Sequence, residues 1–190
     1  GPIETAAVLS IVRDTSGIGE VADLTITGGY ENIEIYACSG LTVRDCRITN
    51  AGYTGLRIKM SDNCTVANSR LQDNGTGIAI DYSQGTMITG NFVTGATSVG
   101  ISGHQCQGSI YQNNTVARND GNAIRLSYTD SSRIKNNTCY ANYGYGISAS
   151  GDAIVCRNNL SVYNTRIDCY SIGVSVGGVL EYNISYGNAG

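Results

Sequence analysis

Short segments in which apolar residues alternate with polar or small ones recur along nearly all of the 190-residue chain. "GLRIKM" (Gly55 to Met60), "GIAIDY" (Gly77 to Tyr82) and "AIRLSY" (Ala123 to Tyr128) each place an aliphatic residue at every second position. That is the period of a β-strand with one buried face. Asparagine pairs mark how often the pattern returns: Asn113-Asn114, Asn136-Asn137 and Asn158-Asn159. The column of the second Asn extends both ways, through Cys46, Ser69, Asn91, Asn114, Asn137, Asn159 and Asn183. An apolar column precedes it at Val43, Val66, Ile88, Tyr111, Ile134, Cys156 and Leu180. Another follows at Ile48, Leu71, Val93, Val116, Cys139, Ser161 and Ser185. A third strand begins at Ile33, Leu56, Ile78, Ile101, Ile124, Ile147 and Val174, echoed two positions on by Ile35, Ile58, Ile80, Gly103, Leu126, Ala149 and Val176.

The pattern predicts an all-β chain of about seven coils, each of about 22–24 residues with three short strands. One coil cannot bury its inner face, so coils must stack, strand on parallel strand about 4.8 Å apart. Asn at the bend tolerates the left-handed backbone, and stacked amides satisfy one another inside the coil. Helical repeats are excluded, because a period of two dominates each segment. Residues 21–190 form the stacked coils. Residues 1–20 fit the repeat poorly and are predicted to be an N-terminal cap or partial first coil, with the apolar Ala6–Val12 covering one end. The connection from Ser161 to Val174 is longer than its counterparts, predicting a protruding loop near 163–172.

This repeat resembles the right-handed parallel β-helix superfamily, which includes pectate and alginate lyases, polygalacturonases, C5-epimerases, tailspikes and NosD-like proteins. The resemblance covers about Leu24 to Gly190. It implies that the Asn bend separates the second and third sheets and that "GIxI" forms the first. It also implies a binding cleft on the outer face of that first sheet. Active-site motifs of the superfamily are incomplete here. "LRIKM" (Leu56 to Met60) stands where mannuronan epimerases carry DPHE, and only Asp81 falls where they also have an aspartate. "SGHQ" and "RIKNN" echo polygalacturonase motifs without the paired aspartates.

With the aliphatic residues inward, two columns point outward. One is Glu34, Arg57, Ala79, Ser102, Arg125, Ser148, Ser175; the other is Tyr36, Lys59, Asp81, His104, Ser127, Ser150, Gly177. Lys59, Asp81 and His104 thus occupy one row on successive coils. The row is either an ion-pair ladder of a polar outer face or a catalytic site. Removing the proton beside a uronate carboxylate needs a cation, a base and an acid. Arg57 or Arg125 would clamp the carboxylate, Lys59 or His104 would take the proton, and Tyr36 or His104 would return one. Asp81 would orient Lys59 and His104, with Glu34 beside them. The catalytic candidates are therefore Lys59, Asp81 and His104, and the substrate-binding candidates Glu34, Tyr36, Arg57 and Arg125.

Composition narrows the partners. The formal charge is −3 and 14% of residues are charged, against roughly 25% in an average domain. No basic stripe suits nucleic acid, and no apolar run approaches the roughly 20 residues of a membrane span. The seven Cys lack a CxxC pair, so zinc is not expected and the thiols read as small buried hydrophobes. No cofactor is predicted: calcium would suit the superfamily, but no ligand cluster is evident, and no metal ligands of a NosD kind are visible. N-x-S/T sequons at Asn63, Asn74, Asn113, Asn136, Asn159 and Asn183 mostly ride the bend and read as structural, most of them partly buried. The expected function is an exported module acting on or binding an acidic polysaccharide, at the cell surface, outside the cell or in the periplasm. The alternatives are a non-catalytic structural or adhesive β-helix, trimeric or part of a longer chain, and a periplasmic maturation factor of the NosD kind, whose expected metal-ligand cluster is not visible.

Overall fold

A computed structural model describes residues 7–14, 19–165, 170–174 and 178–188, the last coil's 170–174 by backbone alone. It is a parallel β-solenoid of about seven turns. Three sheets of eight strands run along the axis, and each strand pairs in parallel with its counterpart one coil away. The first sheet contains Glu31–Tyr36, Thr54–Lys59, Thr76–Asp81, Ile101–His104, Ile124–Ser127 and Ile147–Gly151. Ile33, Leu56, Ile78, Ile101, Ile124 and Ile147 stack inside it at 2% exposure or less. Ala7–Val12 adds an edge strand beside Glu31–Tyr36, with Leu9 and Ile11 against the core.

Strands change sheet at left-handed residues, in pairs such as Met60 and Asn63 between the first and second sheets and singly at the other corners. Between the second and third sheets these include Asp45, Asn68, Asn113, Asn136 and Asn158, with φ from 49° to 56°. The residue after each is the ladder position. Asn91, Asn114, Asn137 and Asn159 each donate Nδ2 to the next Asn Oδ1 at 2.9–3.1 Å, ending on Asn183. A second ladder at the opposite bend, Asn119, Asn142, Asn164 and Asn188, repeats the device at 2.8–3.2 Å. Both satisfy polar groups that the coil would otherwise bury bare. The sequons divide accordingly. Asn74 and Asn159 are buried in the ladders, whereas Asn63, Asn113 and Asn136 are exposed left-handed corners, contrary to the expected burial.

The last coil is displaced from its expected place. Tyr170, not Val174, stands beside Ile147, and Ile172 stands beside Ala149. Of the expected loop, residues 166–169 lie outside the described residues. Tyr163 and Asn164 continue the stacked corner, and Tyr170–Ile172 belong to the strand rather than to a loop. Ser171 and Gly173 therefore stand in register beside Ser148 and Ser150, the places expected of Ser175 and Gly177. Ile172, Val174 and Val176 share one parity, so a slip of four residues leaves every face unchanged. Ser175, Val176, Gly177 and Cys169 lie outside the described residues. The six described cysteines are buried and free.

One coil breaks the interior pattern. Tyr111 replaces the aliphatic residue of the second sheet's column and is fully buried. Gly103 makes room for it: a Cβ there would lie 2.5 Å from the Tyr111 hydroxyl and 2.9 Å from Leu126 Cδ2. That hydroxyl makes no well-formed hydrogen bond among the described residues, with Ser109 and Cys106 as its polar neighbours.

Candidate functional site

The first sheet's outer face carries the predicted columns in register. Tyr36, Lys59, Asp81, His104 and Ser127 are successive neighbours, as are Glu34, Arg57, Ala79, Ser102 and Arg125. Neighbours are therefore separated by about one strand spacing, ~4.8 Å.

Side chains pair differently from the expectation. Asp81 is held by Arg57, whose Nε and Nη2 each lie 3.1 Å from its Oδ2. The same guanidinium reaches Glu31 Oε1 through Nη1 at 2.9 Å. No ion pair joins Asp81 to Lys59 or His104 among the described residues, so Asp81 does not orient them. The planar guanidinium presents several donors and reaches diagonally across the ladder, which the shorter imidazole does not. Burial works against the charge on Arg57, but the Glu31 hydrogen bond and the Asp81 charge outweigh it and push its pKa up. Glu31 is only 6% exposed and opens its strand at the corner from the third sheet.

Lys59 forms no ion pair among the described residues; its ammonium lies 6.0 Å from the centre of the Tyr36 ring. Glu34 accepts a 3.3 Å hydrogen bond from Ser10 Oγ. His104 stands between two tyrosines, edge to face with Tyr82 at 5.6 Å and with Tyr128 at 5.9 Å. Both tyrosines occupy the left-handed position that follows their strands, with φ of 52° and 56°. Arg125 is exposed without a carboxylate partner among the described residues. It borders a hollow of about 340 Å³ with Ser98, Asp120, Asn122 and Tyr143. A smaller hollow of about 170 Å³ opens over Arg57 and Asp81, walled by Tyr53, Thr54, Thr76 and Ser102. Tyr53 stacks on Tyr30, ring centres 5.0 Å apart at 9°.

The structure thus gathers all seven sequence candidates on one face but separates them into three groups. Arg57 and Asp81 form an ion cluster with Glu31. Lys59 joins Tyr36, with Glu34 near the sheet's edge strand. His104 joins Tyr82 and Tyr128, with Arg125 one strand beyond. Glu31, Tyr53, Tyr82 and Tyr128 were not among the sequence candidates. Glu31 has the parity of the inward isoleucines Ile33 and Ile35, and the tyrosines occupy corner positions. The signal that finds Tyr82 and Tyr128 is their shared offset, one residue past the Asp81 and Ser127 positions of the row.

Among the described residues, no group of three or more His, Cys, Asp or Glu is arranged to hold a metal ion. No helix is long and apolar enough to cross a membrane.

The backbone is similar to that of several solved β-helix proteins. The periplasmic alginate epimerase AlgG superposes with a TM-score of 0.73 at 14% identity, over 90% of this chain and 51% of that one. Pectate lyase Pel9A gives 0.74 at 18% identity, over 90% and 52%. DFA-IIIase from Arthrobacter chlorophenolicus A6, without its lid, gives 0.61 at 14%, over 82% and 50%. The chain therefore spans about half the length of these proteins, and at such identities the likeness establishes the fold alone. The sequence itself matches the family described as periplasmic copper-binding protein (NosD) over residues 9–176, and the chain belongs to that family.

Proposed function

We propose that this chain is an exported module that binds and acts on an acidic polysaccharide along the outer face of its first sheet, by lyase- or C5-epimerase-type chemistry. The observation that carries this reading is the placement of His104, the chain's only histidine. It is held between two tyrosines, with the guanidinium of Arg125, unpaired among the described residues, diagonally across the ladder. A uronate whose carboxylate meets Arg125 would present its C5 proton to the imidazole. Abstraction leaves the electron pair in the carboxylate as an enediolate, which the guanidinium stabilises. Collapse either expels the C4 oxygen, which takes a proton (lyase), or accepts a proton at C5 from the opposite face (epimerase). Tyr82 and Tyr128 are the aromatic hydroxyl-bearing groups in ring contact with His104, and Lys59, in the same row as His104, is a second cation without an ion pair among the described residues. Arg57 is neutralised by Glu31 and Asp81 and holds the floor of the cleft rather than a substrate carboxylate. AlgG and Pel9A are, by name, an alginate epimerase and a pectate lyase, which agrees with this substrate class.

Copper fits the described residues poorly. They offer one histidine, no ligand cluster and six thiols buried within the coil, so no step is assigned to that metal.

The test is a screen of alginate, polygalacturonate and other acidic glycans for ultraviolet-absorbing unsaturated product and, by NMR, for a changed uronate ratio. Turnover is expected, with His104→Ala lowering it at least a hundredfold and Lys59→Ala weakening it less. Turnover unaffected by both substitutions removes the site assignment. Glycan binding without turnover favours the non-catalytic alternative, to which the saturated Arg57–Glu31–Asp81 cluster is equally suited. Trimers or longer assemblies in light scattering would point the same way.

A further inference from the structure

The third sheet's outer face differs in charge from the rest of the molecule. None of its eight strands contains Asp or Glu, while Arg47 and Arg70 stand on successive ones. Its strands thus carry positive charge alone on a chain of net charge −3, with carboxylates confined to the flanking corners at Asp23, Asp45 and Asp73. Arg118 extends it from the following corner, and none of these three guanidiniums has a carboxylate partner among the described residues.

A slot of about 310 Å³ opens on this face. Its two aromatic members are Phe92 and Tyr140, on strands separated by the intervening Thr115–Ala117. The two strands are two spacings, about 9.6 Å, apart, and Phe92 and Tyr140 are also offset by two positions along them, so the rings face each other diagonally from Cα atoms about 11–12 Å apart. The floor between is small: Thr94, Thr115, Ala117 and Thr138. Both rings are supported from outside the slot. Arg70 lies 5.0 Å from the Phe92 ring centre, on the preceding coil. Tyr163 meets Tyr140 edge to face at 5.9 Å on the following coil, and is itself met by Tyr186 at 6.0 Å. Arg118 lines the slot as its one charged group.

We infer that this slot is a second glycan-binding site, on a different sheet from the proposed cleft, which takes one uronate ring between Phe92 and Tyr140 with its carboxylate on Arg118. Rings on either side suit the C–H faces of a pyranose, threonine hydroxyls suit its hydroxyl groups, and the guanidinium suits a carboxylate. A purely apolar ligand would leave the threonine hydroxyls and Arg118 unused. The site anchors the polymer without reacting with it, and the inference rests on the polysaccharide reading above.

Calorimetric titration with tetragalacturonate, tetramannuronate and the neutral cellotetraose tests it. The variants are Phe92→Thr and Tyr140→Thr, which copy Thr115 and Thr94 from the same two columns and so suit the sheet. Two binding sites per chain are expected for at least one uronate. Either substitution weakens one of them by about fivefold to tenfold and leaves the other unchanged. His104→Ala spares this site, and Arg118→Gln weakens uronate binding selectively. Uronate binding at a single site that ignores Phe92→Thr and Tyr140→Thr overturns this inference and leaves the first-sheet reading standing. Cellotetraose bound in the slot as tightly as the uronates overturns the assignment of Arg118. No uronate binding at all overturns both this inference and the function it rests on.

Discussion

Removing one rung from the middle of an asparagine ladder should cost far more than surface substitutions do. Asn114 is 1% exposed and makes four side-chain hydrogen bonds. Its Oδ1 accepts from the Asn91 backbone N–H at 3.0 Å and from Asn91 Nδ2 at 3.1 Å. Its Nδ2 donates to the Ile88 carbonyl at 2.9 Å and to Asn137 Oδ1 at 3.0 Å. In Asn114→Ala, Asn91 Nδ2 keeps the Val66 carbonyl and Asn137 Oδ1 keeps the Asn114 backbone N–H. The Asn91 N–H keeps nothing. A buried donor left bare costs about 1–3 kcal/mol, and weakening the other three contacts brings the loss to about 2–4 kcal/mol. Two further variants separate hydrogen bonding from volume. Ser69 already holds this column one coil before Asn91, accepting from Cys46 N–H at 3.1 Å and donating to the Ala67 carbonyl at 3.0 Å. Asn114→Ser should therefore recover about half the loss. Asn114→Asp keeps the shape and both accepting bonds, but turns an oxygen toward two oxygens, so it should be worse than Ala. Urea unfolding followed by tyrosine fluorescence, in a chain with 13 Tyr and no Trp, gives the midpoints. A loss below 1 kcal/mol for Ala, or an Asp variant as stable as the wild type, refutes the reasoning.

Two other outcomes follow from the interior. Tyr111→Phe removes a buried hydroxyl that makes no well-formed hydrogen bond and should stabilise by about 1 kcal/mol, whereas Gly103→Ala should destabilise by about 1–3 kcal/mol through overpacking. Because the closest obstruction to the new methyl is that hydroxyl, the double variant should lose less than the sum in a denaturation cycle. Burial pushes the Cys156 thiol up from 9.0 to about 12, and the Cys139 thiol is raised as well. A thiol held protonated by folding contributes stability that is complete below pH 9 and is lost as pH climbs from 9 toward 12. Urea midpoints should fall over that window, less steeply in Cys139→Val/Cys156→Val; an identical slope in that variant contradicts the assignment.

Much of the architecture is legible because period and parity carry it. The Asn pairs mark one ladder, and the aliphatic columns name the inward residues of six coils. The second ladder is harder to see. Ala51 and Ala96 interrupt its column at Asn74, Asn119 and Asn142, and these Asn lack a paired neighbour. Parity is also blind to even-numbered slips, which is why the last coil lies four residues from where the valines suggested. For the candidate site, register places backbones and not side chains. It sets Lys59 beside Asp81, yet the longer fork of Arg57 captures that carboxylate. Glu31 is hidden by an inward parity that the corner at its strand's start overrides.

The parallel ladder of the first sheet makes the molecule a ruler. The interval between neighbouring positions is set by backbone hydrogen bonds, about 4.8 Å per coil, and not by the groups displayed. Replacing Lys59 or His104 therefore rewrites one mark without moving the others. Adding or deleting a whole coil lengthens or shortens the scale by one division. A polymer lying along the axis would meet a fixed pitch with variable chemistry, so changes in what is recognised and changes in how long a stretch is recognised are independent of each other.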